Sequence, residues 1–364
     1  MKIKKHVVHG IYLALLCAAG GPPAIANEPI DVQVREEIGR GMFLGSVVLA
    51  GTPDAIVFHE AYGQRDVGEP MQKESLFDVA SITKVSTVAT ALAITMERRP
   101  EVSLDDLMRD HLPGITGKGA DAITIRHTAT HRSGLDNTKK LQEKFEGEAL
   151  VRAILARDVH HTVGSKYEYS CLGMIRLGEM IARINGIEFG RFCRENIFVP
   201  LGMTNTQFGP VSAGLRHRCA RFAVLPPGEI FDSNARRIGR PVGNSGLFTT
   251  AEDLSNLATL WLCRGKRQGK RFFSEEIWQA FTTKGIVWHV GNAGDIVPAS
   301  LSPRTFSHIG WTGQTLIIDP ERAMYIIVLT NRTHPAVHAS KEDGDRARRR
   351  IAEAVVRALF ATRG

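Results

Sequence analysis

The two ends of this chain read as sheet and its middle reads as helix, which limits the folds open to it. "GSVVLAG" (45–51) and "DAIVFHEAYG" (54–63) are β-rich runs around a Gly-Thr-Pro-Asp turn, the pattern of a hairpin. Near the other end, "TFSHIG", "GQTLIID" and "AMYIIVLTN" make three more strands, the last two joined across "PER". Between about 90 and 290 the apolar spacing is helical, as in "CLGMIRLGEMIARI" and "AEDLSNLATLWLC". No repeat, low-complexity stretch or long linker divides residues 27–364, which read as a single domain. The simplest architecture is α/β of the α+β type. The hairpin and the last three strands share one antiparallel sheet (about 27–90 and 290–364), terminal helices cover it, and a large helical insert (about 90–290) lies between. A crevice between sheet and insert is the natural place for a site.

A chain of 364 residues, 43% hydrophobic and 23% charged, can bury a sizeable core and reads as soluble and globular. Its first residues stand apart. Lys2, Lys4 and Lys5 precede the apolar run "IYLALLCAAG", and Ala24-Ile25-Ala26 offers small residues for cleavage. This is the layout of a secretory signal peptide, with cleavage expected near Ala26 and export to the periplasm or the medium; an uncleaved anchor is the alternative. Leu16 is bulkier than the small residue a lipoprotein would carry before Cys17. Without the three lysines the formal charge falls from +8 to +5. The densest basic run, "RARRR" (346–350), sits where Ile351, Val355 and Leu359 repeat at helical spacing, so the arginines are expected on the solvated face of a terminal helix. No nucleic-acid-binding motif accompanies the charge, and nucleic acid is not expected as a partner. Cys171, Cys193, Cys219 and Cys263 follow the signal segment at spacings that match no zinc site and are too few for a disulfide scaffold.

Three short stretches carry chemistry. In "VASITK", Ser81 and Lys84 are three residues apart at the mouth of a long apolar run. One reading is a helix start with a snorkelling lysine. The other is a nucleophile with its base one turn away on the same face, provided burial or a nearby cation keeps the lysine neutral. In "YEYSCLGM", Tyr169 and Ser170 follow a turn and precede a helix beginning near Leu172. Tyr169 could shuttle a proton or simply pack with its hydroxyl paired. In "FSHIGWTGQTLIIDP", Gly310 and Gly313 suggest close approach of another backbone or of a ligand, and His308 points from the strand toward one face. The plain alternative there is a hairpin glycine pair with an ordinary half-buried histidine.

"SITK", "YEYSCLG" and "HIGWTG", in this order, together resemble the penicillin-recognising serine hydrolases: class C β-lactamases, the related D-Ala-D-Ala carboxypeptidases and esterases of the same fold. "ITIRHTATHRSGL", "NSGLFTTAEDL" and "LTNRTHP" look like further pieces of that pattern, so the resemblance spans roughly residues 30 to 360. It implies that Ser81 is the acylated nucleophile, Lys84 its proton acceptor and Tyr169 a second base for deacylation. It implies an oxyanion hole from the backbone N–H groups of Ser81 and Trp311, which follows Gly310. It places His308 where many relatives have lysine, and Asn331 near a substrate carboxylate.

Two departures matter. Cys171 stands where many relatives have asparagine, and a thiol is a poor hydrogen-bond partner beside an amide. Ile309 replaces a common threonine. Both weaken the case for efficient β-lactam hydrolysis and leave acyl transfer intact. His127 and His131 are four apart, but no glutamate follows His127 as a zinc-protease motif demands, so no metal is expected there. The expectation is an exported serine hydrolase without metal or cofactor, acting on D-alanyl-D-alanine-type wall peptides. A short-chain esterase or weak β-lactamase is the near alternative, and a non-catalytic binding module for wall fragments or β-lactams is the alternative of another class. Nothing in the sequence indicates an oligomeric state.

Overall fold

The computed structural model describes residues 27–136, 141–291 and 296–360. The expected signal segment, with Cys17 and the cleavage site near Ala26, lies outside the described residues. Helix α1 (Asn27–Gly39) leads into strands β1 (Gly45–Gly51) and β2 (Ile56–Asp66), a hairpin closed by Thr52 N–H donating to the Ala55 carbonyl. The three late strands are β3 (Phe306–Gly310), β4 (Gln314–Asp319) and β5 (Met324–Thr330). Asp319 makes the last turn by accepting the N–H groups of Glu321 and Arg322 at 3.0 Å each.

As expected, both chain ends build one antiparallel sheet. Across its width run the short strand Glu69–Pro70, then β2, β1, β5, β4, β3 and the short strand His289–Val290. The seam between the two ends is β1 against β5, registered Ser46 to Thr330 through Gly51 to Tyr325. Residues of β1 and β5 are buried without a break, because both faces of the sheet are covered. Val47, Leu49, Ile327 and Leu329 pack toward the helical insert, while Val48, Ala50, Ile326 and Val328 pack toward the terminal helices. Each valine, leucine and isoleucine among them contributes roughly 1.5–3 kcal/mol on withdrawal from water.

The terminal helix runs Lys341–Phe360 and lies against α1. Ile351 and Val355 are fully buried on its inner stripe, with Leu359 nearly so. The arginine run is less uniform than its charge suggests. Arg348 is buried, donating to Thr315 Oγ1 and Asp345, and Arg350 pairs both Glu37 carboxylate oxygens at 2.6 and 2.7 Å. Two of the five basic-run residues therefore join the helix to its neighbours rather than to solvent. Arg348 is reached because it shares the face of Ile351 and Val355, one turn earlier.

The insert carries α2 (Thr90–Arg98), α3 (Ile125–Ala129), α4 (Cys171–Asn185) and α5 (Ala251–Leu262). Trp261 of α5 stacks among Phe273, Phe281, Trp288 and Phe306, which ties the insert to β3. On β3, Phe306, His308 and Gly310 share the face turned to the insert, since His308 is registered with Leu316 of the core on that side.

Candidate active site

The chain reaches Ser81 through a strained turn. Phe77 and Asp78 pair with Thr249 and Phe248, and Val79 N–H donates to the Leu247 carbonyl. Ala80 then adopts φ +44°, a left-handed conformation that costs a non-glycine residue about 1–2 kcal/mol. Asp78 holds it there: one carboxylate oxygen accepts Ala80 N–H at 2.9 Å and the other accepts Phe231 N–H at 2.8 Å. Beyond Ser81 a helical run opens at Ile82, widens into a π-helical stretch over Lys84–Ala89 and continues as α2. The widening suits the sequence, because the Thr90 hydroxyl donates to the carbonyl of Val85, five residues back, at 2.9 Å. Such turns recur at functional sites, where they re-aim a side chain.

Ser81 is half-exposed, and its Oγ lies 2.8 Å from Lys84 Nζ and 2.8 Å from Tyr169 Oη. Lys84, fully buried, also donates to the Asn244 carbonyl at 2.7 Å and lies over the Tyr169 ring. Cys171 completes the ring of polar atoms, its thiol within hydrogen-bonding reach of Lys84 and Asn244. Burial works against the charged form of Lys84, but the negative poles of Cys171 and Tyr169 outweigh it and the net shift is upward. Burial pushes the Tyr169 phenol up while the Lys84 charge beside it pulls the other way, and the Cys171 thiol is raised for the same first reason. Lys84 and Tyr169 form one coupled pair on Ser81 Oγ.

The wall opposite comes from β3. A Cβ on Gly310 would lie 2.6 Å from the Val79 carbonyl and 2.4 Å from Gln314 Oε1, so glycine there lets the strand end close on the Ser81 turn. Thr312 fastens the closure by donating to the Asp78 carbonyl at 3.0 Å. Neither Ser81 N–H nor Trp311 N–H meets an acceptor among the described backbone hydrogen bonds. A second concavity, lined by Asp54, Glu252, Arg267 and Tyr325, shares no residue with this cluster.

A model of the beta-lactamase family matches residues 32–351. The chain belongs to the beta-lactamase family. Among curated relatives, an Escherichia coli K12 protein named "Putative D-alanyl-D-alanine carboxypeptidase" is 26% identical over 310 residues, covering 72% of this chain and 70% of its own. One of the same name from Escherichia coli O157:H7 is 25% identical over 364 residues, covering 85% and 82%. Solved structures share the fold. A penicillin-binding protein homologue from Caulobacter crescentus has a TM-score of 0.72 at 19% identity, over 90% of this chain and 97% of its own. A class C beta-lactamase from Rhodobacter sphaeroides has 0.70 at 19%, over 90% and 99%. EstCE1, a hydrolase with promiscuous acyltransferase activity, has 0.71 at 22%, over 90% and 97%. The molecule is a serine hydrolase of the beta-lactamase fold.

Against that family frame, the structure brings Ser81, Lys84, Tyr169 and Cys171 together and sets Gly310 and Trp311 beside them. His308 is buried on the crevice side of β3, its ring against His289 and its Nδ1 at 3.0 Å from the Ile309 carbonyl; burial holds it neutral. Asn331 departs from the expected substrate-binding role. It is fully buried, accepts Gly45 N–H at 2.8 Å and donates to the carbonyls of Gln64 and Arg65, so its amide is consumed in closing the sheet seam. The role follows from its place one residue past β5, where the partner strand's backbone still needs bonds. His127 likewise serves locally, capping α3 by accepting Thr124 N–H. Sequence reading passed over Asp78 and Asn244. Asp78 had a signal, as the lone charge before Lys84 in the apolar stretch from Leu76. Asn244 had only its place in the segment "NSGLFTT".

Proposed function

We propose that this chain is an exported hydrolase that cleaves amide bonds of the D-alanyl-D-alanine type through an acyl-enzyme on Ser81. The observation that carries the reading is the Ser81 oxygen held 2.8 Å from both Lys84 Nζ and Tyr169 Oη. As Oγ bonds to the substrate carbonyl carbon, its proton passes to the Lys84–Tyr169 pair, which has first released one proton to solvent. The carbonyl oxygen, now negative, accepts the N–H groups of Ser81 and Trp311. Collapse breaks the amide bond as that proton moves from the pair to the leaving amine. Water then gives a proton to the same pair, attacks the ester and returns Ser81. The D-alanyl-D-alanine preference draws on the names of the relatives at 25–26% identity. Export draws on the lysine-led apolar segment that ends near Ala26.

Cys171 favours a second reading, a short-chain carboxylesterase. The thiol beside Lys84 offers no side-chain amide to orient a substrate amide, whereas an ester needs none. One experiment separates these readings. Mature protein is exposed to benzylpenicillin and, separately, to an activated short-chain ester, and its intact mass is followed, with Ser81→Ala alongside. An adduct on the wild type alone supports acyl transfer. A long-lived penicillin adduct favours the peptidase and rapid ester turnover the esterase. Folded wild type that takes up neither label points instead to a non-catalytic binding module, and turnover by Ser81→Ala would refute the Ser81 mechanism.

A further inference from the structure

Tyr169 reaches Ser81 from a turn, and a turn does not fix a phenol to within hydrogen-bonding distance by itself. One residue grips that turn at three points. The His131 carbonyl accepts Glu168 N–H at 2.7 Å, and its Nδ1 accepts Ser170 N–H at 3.1 Å. Between these two bonds its ring packs on the Tyr169 ring, with centroids 4.5 Å apart and planes inclined by 34°. The residues on either side of Tyr169 are thus both held by a single neighbour, which also braces the tyrosine side chain.

The backbone confirms that this arrangement is imposed. His131 lies just past α3 with φ +57°, left-handed and unfavourable for a residue with a Cβ. That conformation turns the carbonyl and the ring of one residue toward the same passing segment. The imidazole is also in a defined state. It is 4% exposed, and burial, reinforced by Lys84 and His289, keeps it neutral far below the usual range. Because Nδ1 accepts a backbone N–H, the proton resides on Nε2.

We infer that His131 is the positioning residue of Tyr169, setting the distance from the phenol oxygen to Ser81 through its bond to the Ser170 N–H. The inference rests on the reading of Tyr169 as the base. His131 touches no reacting atom, and its contribution is to kcat rather than to substrate binding.

Three substitutions separate the contacts. His131→Asn keeps an acceptor where Nδ1 stood and tolerates positive φ, but loses the ring. His131→Phe keeps the ring and leaves Ser170 N–H buried without an acceptor. His131→Gly fits the backbone and removes both. With an activated short-chain ester, His131→Asn retains kcat to within about fivefold, while His131→Phe and His131→Gly lose about 30- to 100-fold with KM changed less than about threefold. Thermal unfolding establishes which variants are folded; if His131→Phe is not, the glycine variant, free of backbone strain, carries the same test. Wild-type kcat in the folded phenylalanine or glycine variant, or an asparagine variant as impaired as they are, overturns the inference alone. A wild type that never acylates overturns the catalytic reading and this inference with it.

Discussion

Replacing Asp78 by asparagine probes a carboxylate that the fold buries completely beside its nucleophile. Burial, with the nearby Asp232 charge adding to it, pushes the Asp78 carboxyl up from 3.8 to about 6, although the Phe231 and Ala80 N–H groups and Arg236 pull the other way. The folded protein thus holds the proton more tightly than the unfolded chain. Asp78's contribution to stability is fully present below about pH 3.8 and is lost as pH rises through about 6. The difference of the two values corresponds to about 3 kcal/mol. Asparagine has no such dependence. It keeps one acceptor oxygen, while its NH₂ opposes the second backbone N–H, at a pH-independent cost of about 1–3 kcal/mol. Asp78→Asn is therefore expected to be less stable than wild type at pH 4 and to draw level with it or pass it by pH 7.

The assay is urea unfolding of both proteins at half-unit steps from pH 4 to 8. Subtracting the two curves removes the titration of every group they share. The difference should climb by about 2 kcal/mol between pH 4 and 7. A difference flat to within about 1 kcal/mol would refute the assignment of a desolvated carboxylate at this position. Asp78 also fixes the Ala80 turn that leads into Ser81. Asp78→Asn is thus expected to acylate at least about tenfold more slowly, through the loosened Ala80 turn.

Further outcomes follow from the same geometry. Gly310→Ala forces a methyl against the Val79 carbonyl, so it should slow acyl-enzyme formation by about 100-fold, read by intact mass over time. Tyr169→Phe keeps the ring against His131 but removes the oxygen beside Ser81; acyl-enzyme lifetimes should lengthen by about 10²–10⁴-fold. Asn331→Ala takes the partner from Gly45 N–H and from the Gln64 carbonyl, while the Arg65 carbonyl keeps Arg221 N–H, and about 2–4 kcal/mol of stability should be lost in urea unfolding with ester KM unchanged. A raised KM at unaltered stability would restore Asn331 to the substrate site.

The parts of this molecule legible in its sequence are those written in local periodicity. The hairpin and the late strands follow from β-rich runs and turn residues, and the terminal helix from Ile351, Val355 and Leu359. Ser81, Lys84, Tyr169 and Gly310 come together from short motifs that keep their spacing whatever the fold does between them. The misread or missed residues depend on partners that only the folded chain supplies. Asp78 accepts from a residue 153 positions on, Lys84 donates to one 160 positions on, and Asn331 accepts from one 286 positions back. No pattern along the chain says whose backbone N–H a buried carboxylate or amide will meet.

The contrast between His308 and Asn331 shows what that missing knowledge decides. Both were expected to meet substrate and both are buried, His308 in the middle of β3 and Asn331 one residue past β5. Asn331 has its oxygen and its NH₂ committed to the backbone across the seam, so binding substrate would mean breaking the sheet that forms the site. His308 faces the insert, and its Nε2 is buried without a protein partner. If Nδ1 donates to the Ile309 carbonyl, Nε2 of the neutral ring carries the lone pair. A buried acceptor left open costs about 1–3 kcal/mol, a cost that a substrate or water donating into the crevice would relieve. Of the two, His308 is the residue whose chemistry is still available to a ligand.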